Sequence, residues 1–222
     1  MKEKIYTIPV NEAFLKKCGC PVCSVFEMLQ NNEIDIILGA SMMEPDIRIS
    51  TNKLGFCFTH FEQMLKKQKR LPFALILDSH INEIKDKLFS KSAMQQVDFI
   101  DKLTNSCYIC SRIDNYLVQI YSTIFHLYSK EKAFRELFKE QPFFCLIHYK
   151  ELAKRGQKQL SKKEFEEFFK IISNMQSRYL NTLNEDIKWF CKKFDYRFQN
   201  EDWKNSKNAI ERTVYSLTGE KP

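Results

Sequence analysis

With 222 residues, 44% of them hydrophobic, the chain can bury one large core or two small ones. Its 5 Gly and 6 Pro, set against 19 Phe and 9 Tyr, argue against the turn-rich composition of an all-β protein. The formal net charge is +7, and the longest apolar run, inside "LPFALILDSH", falls far short of the roughly 20 residues a membrane-spanning helix needs.

The opening "MKEKIYTIPVNEAF" has no apolar h-region, so no signal peptide is expected and the compartment expected is the reducing cytoplasm. There, clustered cysteines bind metal more often than they form disulfides. The first cluster follows at once. "CGCPVC", residues 18 to 23, holds Cys18, Cys20 and Cys23, and Pro21 favours a helix that starts just after Cys20. Val25, Phe26, Leu29 and Ile37 continue at helical spacing, and Gly39 can stop them. "MEPDIRISTN" (43 to 52) reads as a connector. "CFTH" (57 to 60) opens a helix expected over residues 56 to 70. Pro72 suits the first turn of the next, whose stripe is Phe73, Leu77, Ile81, Ile84 and Leu88, and a shorter stripe runs from Met94 to Leu103.

The same plan then returns. "CYIC" (107 to 110) precedes a stripe of Ile113, Leu117, Ile120, Ile124 and Leu127; Phe134, Leu137 and Phe138 mark a short helix; "CLIH" (145 to 148) opens a helix expected to stop at Gly156. "SKKE" at 161 to 164 is a capping box that starts a long helix through Phe194, with Cys191 among its aromatics as an expected core thiol. The polar tail from about 200 is expected to fray.

The order of the pairs is therefore CxxC, CxxH, CxxC, CxxH, with 33 residues (24 to 56) in the first spacer and 34 (111 to 144) in the second. Such regularity is the mark of an internal duplication organised around ligands. Residues i and i+3 of a helical turn share a face, so each pair offers two ligand atoms to one point. Three sulfurs and an imidazole suit tetrahedral zinc in a closed structural site, and an iron–sulfur cluster is the less expected alternative. The expectation is two zinc ions per chain, the first bound by Cys20, Cys23, Cys57 and His60, the second by Cys107, Cys110, Cys145 and His148. Cys18 is not expected to be a ligand, because Asn105 holds its place in the second half.

The fold expected is all-α: two tandem helical repeats, residues 1–104 and 105–222, each organised by its own CxxC…CxxH site and packed as one pseudo-twofold domain. "KIYTIPVNEAF", "CGCPVC", "MEPDIR", "TNKLGFCFTHF" and "RLPFALILDSH" resemble a bacterial family of cysteine-rich helical proteins described as a domain of unknown function. The resemblance covers residues 4 to 80 closely and is thinner beyond, chiefly "CYIC" and "FFCLIH". It implies the fold and no activity.

Three function classes stay open. The leading one is a metal-stabilised scaffold or regulatory interaction protein with a protein partner. The second is an enzyme or small-molecule binder using Glu44, Asp46, Arg48 and His80, groups suited to acid–base work or a binding clamp. The third is a thiol or metal sensor. Residues 1 to 104 carry net +1 and residues 105 to 222 net +6, with Lys150, Lys154, Arg155, Lys158, Lys162 and Lys163 concentrated in one stretch. These could meet a nucleic-acid backbone or form a solvated face.

Overall fold

The computed structural model describes residues 4–220, and among them there are helices and no strand. The helices are α1 (Lys4–Leu15), α2 (Pro21–Ile37), α3 (Pro45–Leu54), α4 (Phe58–Lys66), α5 (Arg70–Leu88), α6 (Ala93–Thr104), α7 (Tyr108–Lys130), α8 (Lys132–Lys139), α9 (Leu146–Gln159), α10 (Lys162–Lys192) and α11 (Ala209–Thr218). None is long and apolar enough to cross a membrane.

The chain divides into two compact units, and they are not consecutive. The first contains Met1–Val25 and Val118–Pro222; the second is Phe26–Leu117. This differs from the tandem division at residue 104. The expected boundary lies just before α7, a continuous helix whose first turns belong to the second unit and whose remainder belongs to the first.

In the first unit the core is aromatic. Phe138 is fully buried, and its ring centroid lies 5.7 Å from Phe14, 5.3 Å from Tyr128, 5.3 Å from Phe144 and 5.2 Å from Phe168. The short α8 owes its place here to Phe134 and Phe138, one turn apart and both buried. The capping box of α10 forms as its residues predict. Ser161 Oγ accepts from the Glu164 N–H at 3.4 Å, and the Glu164 carboxylate accepts from the Ser161 N–H at 3.2 Å.

α1 forms although Pro9 lies inside it, because Val10, Ala13 and Phe14 bury one face. Three expectations fail in this unit. Gly156 does not end α9; it is buried inside the helix, where an added side-chain carbon would stand 3.3 Å from Phe125 and 3.4 Å from Phe168. It is there for close packing. Cys191 is exposed. The tail does not fray: Lys193 Nζ donates to the carbonyls of Phe198 (2.6 Å) and Gln199 (2.8 Å), and α11 follows with Ala209 and Ser216 fully buried.

In the second unit the core joins Ile34, Ile37 and Leu38 to Phe56, Met64, Phe73, Ile76, Ile109 and Ile113. "MEPDIRISTN" is mostly helix. Glu44 takes an extended N-cap conformation and Pro45 occupies the first turn of α3, where its fixed φ favours the helix. α3 ends at Gly55, in a left-handed conformation with φ 58°. The Gly55 carbonyl accepts from the Tyr108 N–H at 2.9 Å, and the Leu54 carbonyl accepts from Ser106 Oγ at 2.7 Å. These two bonds lay the segment before Cys57 along the segment that carries Cys107.

Candidate metal centres

Each unit gathers four of the eight predicted ligands, but the grouping differs from the expected one. Cys20, Cys23, Cys145 and His148 converge in the first unit; Cys57, His60, Cys107 and Cys110 converge in the second. Within each set the ligand atoms all lie within 4.8 Å of one another. The CxxC and CxxH pairs are thus nested, first with fourth and second with third. The reason lies in the spacers. α2 takes 17 of the residues after Cys20 and extends about 25 Å, so "CFTH" would have to double back along it to meet Cys20 and Cys23. Instead the Gly55 and Leu54 carbonyls pin "CFTH" beside "CYIC".

In the first centre, His148 Nδ1 lies 3.6 Å from Cys20 Sγ, 3.2 Å from Cys23 Sγ and 3.1 Å from Cys145 Sγ, and Cys23 Sγ lies 3.5 Å from Cys145 Sγ. In the second, His60 Nδ1 lies 3.1 Å from Cys57 Sγ, 3.3 Å from Cys107 Sγ and 3.5 Å from Cys110 Sγ, with Cys57 Sγ 3.9 Å from Cys110 Sγ. Ligands placed about 2.3 Å (sulfur) and about 2.0 Å (nitrogen) from one tetrahedral ion stand roughly 3.5–3.8 Å apart. The distances given, 3.1 to 3.9 Å, lie on both sides of that spacing, so the residues present fit a metal ion. Cys57 and Cys145 each cap the N-terminus of the helix that carries their histidine, where free N–H groups favour a thiolate.

The thiols divide the negative charge unevenly. Hydrogen bonds from Cys20 and Cys23, with help from His148, hold Cys145 far below the usual thiol range, while burial pushes Cys20 well up. In the second centre burial opposes ionisation of Cys107, but bonds from His60 and the Cys110 and Cys57 backbone outweigh it and bring the group down to about 6. Burial and the neighbouring Cys107 push Cys110 up. A bound dication would stabilise the remaining thiolates.

Three features around the centres escaped the sequence reading. The Cys20 N–H donates to Tyr215 Oη at 3.2 Å, and Gly219, in a left-handed conformation with φ 76°, lies against the sulfurs of Cys145 and Cys23. Both come from the tail expected to fray. In the second unit Gln30 Nε2 lies 2.9 Å from His60 Nε2. With Nδ1 facing the ligands, Nε2 carries the hydrogen, and the Gln30 amide turned end for end presents its oxygen to accept it, which fixes the ring. Gln30→Ala is expected to weaken metal binding at the second centre by about 10–100-fold and leave the first unchanged, as read by chelator competition. Equal weakening at both centres would contradict this role. Gln30 sits two turns after Cys23 on α2, a register that the pattern of ligands alone does not flag.

The candidate acid–base residues lie at the start of α3 and on α5. Glu44 and Asp46 are exposed at the start of α3, and the Arg48 N–H donates to the Glu44 carbonyl as an ordinary helical bond at 3.0 Å. His80 is buried. Its Nδ1 lies 3.0 Å from the Asn52 carbonyl, and burial lowers its pKa. Among the described residues, Glu44, Asp46 and His80 form no convergent group. Arg155 pairs with Glu151 at 2.9 Å and covers the Tyr121 ring, which leaves Lys150, Lys154, Lys158, Lys162 and Lys163 as the exposed basic groups of that stretch. Cys18 is exposed and stands outside both ligand sets. A buried carboxylate that the sequence reading missed, Glu33, is held by Arg112 Nε at 3.1 Å.

The chain belongs to a family of unknown function, DUF6062, whose model matches residues 1–222. No curated protein and no solved structure matches it.

Proposed function

We propose that this family member is a zinc-binding helical protein with two structural Cys3His centres, one in each compact unit, and that it serves as a scaffold or regulatory interaction protein in the cytoplasm. The convergence of six cysteines and two histidines into two tetrahedral-sized sets carries the metal reading. Zinc is favoured because each set is compact enough for one ion. A cluster spreads its cysteines over several irons and so sets their sulfurs farther apart. The centres are structural in this reading because every ligand position is filled by protein, with none left for water or substrate.

Support for a protein partner comes from α6. It has no buried residue, and it exposes Met94, Val97 and Ile100 at 72%, 49% and 45% along one helical stripe. Metal analysis of the purified chain tests the central part of the reading. Two equivalents of zinc in a colourless protein are expected; a brown protein containing iron and sulfide would overturn the zinc assignment.

A further inference from the structure

The two centres differ in how solvent reaches them. All four ligands of the first are buried, with Cys20 and Cys145 at 0%, Cys23 at 6% and His148 at 8% exposure. α11 closes over them. Tyr215 Oη accepts from the Cys20 backbone, and a side-chain carbon built on Gly219 would stand only 3.0 Å from Cys145 Sγ and 3.6 Å from Cys23 Sγ. In the second centre His60 and Cys107 are buried, but Cys57 and Cys110 are only half-buried. Phe58, next to Cys57, is 77% exposed. Cys57 sits on extended backbone ahead of α4, outside the rigid helical turns. Its sulfur lies 3.9 Å from that of Cys110, so about 2 Å of approach would close a disulfide bond.

We propose that the second centre is a reversible thiol-oxidation site, at which a peroxide converts Cys57 and Cys110 to a disulfide and expels the metal, while the first centre keeps its ion. This rests on the metal-binding reading above. The Cys57 thiolate attacks one peroxide oxygen, the O–O bond breaks, and a sulfenic acid and hydroxide form. The Cys110 thiolate then attacks that sulfur and displaces a second hydroxide. The two sulfurs lose two electrons and the peroxide gains two; the hydroxides take two protons from the medium and leave as water. Cys107 and His60 alone retain the dication too weakly, and it departs hydrated. A dithiol returns the two electrons by exchange and becomes a disulfide itself, after which the centre can be reloaded.

The test uses the full chain loaded with zinc, its metal content measured before hydrogen peroxide is added. Release is followed with a chromogenic chelator, and disulfides are mapped by non-reducing peptide analysis. One equivalent is expected in a fast phase and the second only in a slow one, with a Cys57–Cys110 disulfide formed in step with the first and reversed by dithiothreitol and zinc. The Cys18→Ser, Cys191→Ser double variant removes both exposed thiols outside the centres and should release its first equivalent at the same rate. A chain that binds no metal beforehand would overturn the metal reading and this proposal together. A chain with two ions that loses both at one rate, loses neither, forms a Cys107–Cys110 bond instead, or fails to respond once Cys18 and Cys191 are replaced would overturn this proposal alone.

Discussion

Cys20→Ser is expected to cost the first unit its metal and several kcal/mol of folding free energy, because a structural ion's binding energy is folding energy. His148→Ala should do the same through the same ion, since its Nδ1 faces Cys20 Sγ from 3.6 Å. The two changes should be strongly non-additive, the double variant being scarcely less stable than either single one. Cys20→Ser combined with Cys57→Ser should behave differently. These residues belong to separate ligand sets, so the pair should lose two ions and both contributions. Metal content and denaturant unfolding of six proteins, the wild type, Cys20→Ser, His148→Ala, Cys57→Ser and the two double variants, measure this. Non-additivity between Cys20 and Cys57, with additivity between Cys20 and His148, would restore consecutive pairing.

Phe138→Ala is the second large effect expected. The ring is fully buried and lies within 5.7 Å, centroid to centroid, of four other rings from α1, α7, α10 and the segment before α9. Truncation leaves a cavity that these neighbours can only partly refill, and a loss of about 3–5 kcal/mol follows. The unfolding transition of the first unit, followed by urea titration, reports it. A loss below about 1 kcal/mol would contradict the packing described, since truncating a fully buried Phe costs several times that.

Much of the architecture was legible wherever apolar residues recur at three and four. The stripes from Phe73 to Leu88 and from Ile113 to Leu127 fall within α5 and α7, and the capping box at Ser161 marks the start of α10. Periodicity misjudged segments whose helicity depends on one or two contacts. "MEPDIRISTN" looked like a connector because its polar residues hide the α3 face, although Pro45 was a start signal. α11 was missed because its reason for order is tertiary: Tyr215 and Gly219 pack against the Cys20, Cys23 and Cys145 segments far away in the chain, which a polar composition does not reveal. All eight ligand residues were visible as types and spacings, yet their grouping was not. Four two-ligand pairs can combine in three ways, and both the consecutive and the nested arrangement give Cys3His twice. Only tertiary bonds such as Tyr108 N–H to the Gly55 carbonyl select between them. Nearness in sequence likewise says little about the candidate acid–base residues: Glu44 and Asp46 stand exposed at the start of α3, and His80 is buried with its Nδ1 on the Asn52 carbonyl.

The nested grouping is the central claim, and cadmium substitution tests it most directly. Cadmium takes the same thiolate and imidazole ligands, and its scalar couplings to cysteine Hβ and histidine ring protons identify which residues share an ion. Two cadmium resonances are expected. One should correlate with Cys20, Cys23, Cys145 and His148, the other with Cys57, His60, Cys107 and Cys110. A resonance correlating with both Cys20 and Cys57, or with both Cys107 and Cys145, would contradict it.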